Sequence, residues 1–146
     1  MADEPEVGAR LESIEPEECR RLLTTQPVGR IGITAHAHAL PAILPVNYAV
    51  LGDAIVFRTI PGTKLDAATN KAIVAFEVDS YEPDGRAGWS VVVVGRASRL
   101  EGDQLDQAET LAIDAWPLDG QASNFVRVEI AQITGRRFQR RSPSAR

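Results

Sequence analysis

The chain has 146 residues, 44% of them hydrophobic and 25% charged, with a formal net charge of −4. That size and composition suit one globular domain with a sizeable core, and the acidic balance argues against a general nucleic-acid binder, which needs a basic face. A single cysteine, Cys19, excludes an intramolecular disulfide and suits a reducing compartment. No apolar run approaches the roughly 18 residues of a membrane span, and the acidic start "MADEPEVGAR" does not read as a signal peptide. A soluble cytoplasmic protein is the expectation, with neither nucleic acid nor membrane as partner.

In chain order, residues 1–10 read as a flexible N-terminal segment. In "SIEPEECRRLLTTQ" Ser13 or Glu15 stands near an N-cap and Pro16 suits the first turn. Leu22 and Leu23 supply an apolar stripe, and Pro27 ends the helix. Cys19 falls inside it as a half-buried thiol. "VGRIGITA" alternates with period two and reads as a strand; "HAHALP" turns, and "AILPVNYAV" is a second strand carrying the irregular Pro45. "LGD" is a tight turn into "AIVFRTI", the third strand. "PGTKLDAATNK" turns into a short helix, "AIVAFEVDSYE" is the fourth strand, and "WSVVVVGRASRLE" is a long fifth with a bulge expected at Gly95. Leu105, Ala108, Leu111, Ala112 and Ala115 have helical spacing up to Pro117, and "NFVRVEIAQITGRRFQR" is the last strand.

Consecutive strands joined by short turns favour a mainly β (α+β) fold: a six-stranded antiparallel split β-barrel with short flanking helices, rather than a doubly wound parallel sheet. The domain is expected over residues 11–138, with residues 139–146 a basic, disordered tail.

The stretch "IVFRTIPGTKLDAAT" carries the most chemistry. Arg58 and Thr59 end a strand, Gly62 permits a sharp turn, and Thr63 and Lys64 begin a helix whose free amides face the same place. A guanidinium, an ammonium, hydroxyls and amides suit a terminal phosphate. The alternative is an ordinary turn with two solvated cations. It is not a Walker A loop, because Phe57 stands where that pattern requires its first glycine.

The order of "LPVNYAVLGDAIVFRTIPGTKLDAA", "AFEVD", "GWSVVVVGRAS" and "FVRVEIAQITGRRF" resembles the pyridoxamine 5′-phosphate oxidase-like family of flavin-binding split barrels, near its small bacterial nitroimidazole-resistance reductases. The resemblance spans roughly residues 12 to 138. It implies FMN as cofactor, with the phosphate at Arg58, Thr59, Thr63 and Lys64. The isoalloxazine would lie along the backbone of Leu44, Pro45, Val46 and Asn47, and Trp89 and Ser90 would reach the other side of the ring. It also implies a homodimer with cofactor sites at the subunit interface.

The oxidase's C-terminal substrate-binding segment has no recognisable counterpart, so vitamin B6 oxidation is not expected. A flavin reductase or nitroreductase acting on a small molecule fits better, with a deazaflavin-dependent reductase or a non-catalytic flavin- or haem-binding protein as alternatives. His36 and His38 share a strand face, but a metal site needs three or four ligands, so they read as a solvated loop.

Overall fold

The computed structural model describes residues 9–35, 40–111, 113 and 123–140. The elements run β1 (Ala9–Ser13), α1 (Pro16–Leu23), β2 (Val28–Ala35), β3 (Leu40–Asn47), β4 (Ala49–Leu51) and β5 (Ala54–Thr59). There follow α2 (Lys64–Ala68), β6 (Ala72–Tyr81), β7 (Ala87–Arg99), α3 (Gly102–Glu109), β8 (Asn124–Glu129) and β9 (Gln132–Arg140). The strands form one antiparallel sheet ordered β3-β2-β6-β7-β8-β5-β4, with β9 bridging β7 to β1. The two ends of that path, β3 and β4, are separated in the chain by Tyr48 alone. The sheet's ends are therefore tied together and it curls into a barrel.

The split-barrel expectation holds, but nine strands are described where six were expected, and each addition has a physical cause. The run 42–50 breaks after Asn47 because Tyr48 turns into the core. Its ring meets Phe76 edge-on at 4.7 Å, and its hydroxyl donates to the Leu23 carbonyl. β3 then pairs with β2, and β4 with β5. The last strand divides at Ile130 and Ala131, so that β8 joins β5 while β9 runs between β7 and β1. β1 starts at Ala9, opposite Arg140, within the segment expected to be loose.

Gly95 marks a change of partner along β7. Residues Ala87–Val94 pair with β9 and Ala97–Arg99 with β8. A Cβ at Gly95 would lie 1.7 Å from the Glu129 carbonyl oxygen, so only glycine lets the β8–β9 corner approach this closely.

Alternation along the strands separates two faces. Ile31, Ile33, Val74, Phe76, Val78, Val91 and Val93 point inward and are buried. α1 closes one part of this core with Cys19, Leu22 and Leu23, its Glu15 N-cap and Pro16 standing where expected. Cys19 is fully buried rather than half-buried; its thiol donates to the Ile14 carbonyl at 3.5 Å, and burial pushes its pKa up. That is an inert, structural environment. α3 spans Gly102–Glu109 and is closed by Thr110 as its C-cap, short of the helical run expected to reach Trp116; Leu111 and Ile113 are not helical, and residues 112 and 114–122 lie outside the described residues, as do His36, His38 and residues 141–146. Among the described residues, no helix is long and apolar enough to cross a membrane.

Candidate functional site: the β5–α2 turn and the β3 edge

The chain leaves β5 at Thr59, turns through Gly62 at φ +82°, and enters α2 with Thr63 as N-cap. Thr63 Oγ1 accepts from the Asp66 amide at 3.2 Å and donates to the Ile60 carbonyl at 2.7 Å. The spacing Thr63-x-x-Asp66 is a capping box, with a difference: the Asp66 carboxylate reaches past the N-cap and accepts from the Gly62 amide at 3.2 Å.

Asp66 organises this end of the barrel. Only 5% exposed, it accepts from Thr59 Oγ1 at 2.8 Å, Asn124 Nδ2 at 2.8 Å and Arg99 Nη2 at 3.0 Å. One carboxylate thus ties together the end of β5, the turn, the end of β7 and the start of β8. Burial pushes its pKa up, but the hydrogen bonds from Asn124, Thr59 and the Gly62 amide, with the charge of Arg99, outweigh that and hold it below the usual value of 3.8.

The four residues expected to grip phosphate are adjacent, but they are differently engaged. Arg58 lies at 5.5 Å over the Phe125 ring, donates from Nε to Ser123 Oγ at 2.8 Å and from Nη1 to the Ile113 carbonyl at 2.9 Å. Thr59 is 1% exposed with its hydroxyl on Asp66. Thr63 serves the turn itself. Lys64 is exposed, and its ammonium has no hydrogen-bond or ion-pair partner among the described residues. No buried side-chain polar atom among the described residues lacks a partner. Lys64 is thus the cation left outward at this turn, whereas Arg58 could turn outward only by giving up two uncharged acceptors, Ser123 Oγ and the Ile113 carbonyl.

Pro45, Val46 and Asn47 end β3, which among the described residues pairs with β2 alone. Val46 is buried while Pro45 is exposed and Asn47 half-exposed. Among the described residues the other backbone edge of β3 has no strand partner, so its amides and carbonyls there are not committed to a ladder. Trp89 and Ser90 are neighbours on β7 and point to opposite faces. Ser90 shares a row with Asp79 and Arg136; Trp89 shares the opposite face with Ser80 and Arg137, packed against the core. β3 and β7 are separated by β2 and β6, three strand spacings or about 14 Å.

Sequence reasoning missed Asp66, Arg99 and Asn124. The capping-box spacing from Thr63 to Asp66 was a usable signal for the first. Nothing local marks the other two, which arrive from β7 and β8.

This barrel and turn define the split-barrel class. The chain belongs to the pyridoxamine 5′-phosphate oxidase family, whose profile matches residues 15–137. It is similar to the FAD binding protein from Mycobacterium smegmatis, at 33% identity over 87% of this chain and 97% of that one, with a TM-score of 0.73. An FAD-binding protein from Mesorhizobium loti matches at 27% identity over 90% of this chain and 99% of that one, with a TM-score of 0.70. An uncharacterized protein of Mycobacterium tuberculosis is 30% identical over 139 residues, 92% of this chain and 90% of its own length.

Proposed function

We propose that the chain is a flavin-dependent oxidoreductase of the cytoplasm, acting on a small molecule, with the flavin phosphate at the β5–α2 turn and the ring along β3. The observation that carries this reading is the turn itself. Asp66 holds it rigid from beneath, so that Lys64 and the first amides of α2 stand outward as a preformed, cationic lip. Family membership and the two FAD-binding relatives support the same ligand class. FMN is the smallest flavin that carries a phosphate for the turn. FAD carries the same ring and ribityl phosphate and is favoured by those relatives.

Bound flavin would supply the redox chemistry; the chain's part is to seat the phosphate, present β3 backbone groups to the ring's polar rim and exclude water. Within one chain Asn47 and Ser90 lie on strands three spacings apart, about 14 Å measured along the curved sheet. A homodimer would let Ser90 of a second copy approach the ring.

Titrating purified protein with FMN, FAD and a deazaflavin by calorimetry and visible spectroscopy tests the reading. Binding of FMN or FAD is expected, weakened about ten- to a hundredfold in Lys64→Ala, the range for a charge-assisted hydrogen bond of about 1.5–3 kcal/mol. A colourless protein that releases no heat with any of the three overturns it. Reduction of the bound flavin by NADPH, with turnover of quinone or nitroaromatic acceptors, separates an enzyme from a carrier.

A further inference from the structure

The two oxygens of Asp66 have different partners. Oδ1 accepts from Thr59 Oγ1 and Asn124 Nδ2, both at 2.8 Å. Oδ2 accepts from the Gly62 amide at 3.2 Å and from Arg99 Nη2 at 3.0 Å. One oxygen therefore joins the backbone of the turn to a guanidinium carried by a different strand. The Asp66 side chain is 6% exposed and that of Arg99 44%, so the pair runs from the buried joint out to solvent. Arg99 is fixed in place by its own backbone. It ends β7 opposite Val126 of β8, and the next amide, that of Leu100, donates to the Phe125 carbonyl at 2.9 Å. Its Nε and Nη1 have no partner among the described residues.

We propose that Arg99 is a positioning residue for the flavin phosphate: paired with Asp66, it cancels the negative charge beneath the turn and so lets the turn hold an anion. This rests on the preceding reading of the turn as the phosphate seat and adds a residue to it. Asp66 is ionised at neutral pH, because its donors hold the carboxyl below the usual value of 3.8. Three of those donors are neutral. They lower the cost of burying the charge but leave the charge in place. Lys64 stands two positions before Asp66, and these two alone would leave the turn electrically balanced, with little pull on an anion. Arg99 tips the balance to positive. Arg58 is placed differently. It leaves β5 on the face opposite Thr59, the face on which Val56 packs with Ala108 of α3. A purely structural role would ask Arg99 only for a fourth hydrogen bond; a half-open guanidinium supplies charge as well.

Titrating the full chain with FMN and with riboflavin, which differ only in the terminal phosphate, tests this. Wild type is expected to bind FMN the more tightly. Arg99→Gln keeps a donor for Asp66 and removes the charge. It is expected to cut the FMN preference about tenfold, the scale of one charge at close range, and to leave riboflavin affinity within about twofold. Arg99→Lys carries the charge without the planar fork and is expected to retain most of the preference; its loss there overturns the proposal by itself. Asp66→Asn added to Arg99→Gln is expected to return the preference close to wild type, since both charges are then gone. Three further results overturn the proposal: an unchanged preference in Arg99→Gln, an equal loss of both ligands, which marks Arg99 as scaffold only, or a loss that the double variant does not restore. Wild type that binds FMN and riboflavin equally removes this inference and leaves flavin binding standing. Wild type that binds no flavin removes the functional reading itself.

Discussion

Asp66 and Glu77 lie eleven positions apart, and both carboxyls are withdrawn from water, yet their proton affinities move in opposite directions. Asp66 is the more deeply buried and is held below its usual value; Glu77 is half-open and is pushed up to about 7. Donors make the difference. Asp66 accepts from a hydroxyl, an amide side chain, a backbone N–H and a guanidinium. Glu77 faces another acid and shares a single arginine at 3.5 Å. Burial alone predicts neither outcome; what counts is whether the surroundings solvate the charge. The Asp66 end is a built joint; the Glu77 carboxyl lies on a partly open face with one arginine shared between two acids.

The largest expected effect breaks the joint. Asp66→Ala strands the donors of Thr59, Asn124 and Gly62 and should cost about 3 kcal/mol, within the range for dismantling a buried charged pair. In a domain of this size that corresponds to a fall in Tm of about 6–12 °C, read by thermal denaturation; an unchanged Tm would erase the contrast. Thr59→Val removes one buried donor and should cost about 2 kcal/mol by urea titration.

Two pH experiments sharpen the comparison. The Asp66 carboxyl, lowered on folding, contributes stability that is present above its unfolded value and is lost as pH falls through the folded one. Asp66→Asn should therefore differ most from wild type near neutrality and converge on it only as pH falls through the folded-state value, which lies below 3.8. Glu77 runs the other way. Raised on folding, it costs stability increasingly from its unfolded value of 4.5 up to about 7. Glu77→Gln should be neutral at pH 4.5 and stabilising by at most about 1 kcal/mol at pH 8, after allowance for solvent screening. The smallest effect belongs to Lys64→Ala. Fully outside the hydrogen-bond network, it should leave stability within about 0.5 kcal/mol of wild type while weakening flavin binding. A loss of stability in step with binding would mean that Lys64 belongs to the joint after all.

Much of the barrel was legible from local pattern. The alternation of "VGRIGITA" delivered β2 with its bounds, Pro16 and the acidic first turn delivered α1, and "PGTKLDAAT" delivered the turn and α2. What stayed hidden was set by distant residues. The break at Tyr48 depends on the Leu23 carbonyl and Phe76; the division of the last strand depends on Gly95 admitting Glu129; the commitment of Arg58 depends on Ile113 and Ser123. Within "FRTIPGTKLD" the residue types implied a positive, anion-seeking turn, but not that an anion from the same segment lies beneath it.

Periodicity, prolines, glycines and cap residues are short-range quantities, and they alone were enough to specify an antiparallel barrel and the place of its one conspicuous turn. Which side chains at that turn remain free, and which carboxyl is stabilised or stranded, is decided by groups brought from 30 to 60 positions away, such as Arg99 and Asn124 on Asp66. Electrostatic free energy depends on separation in space, and only the closed sheet sets those separations.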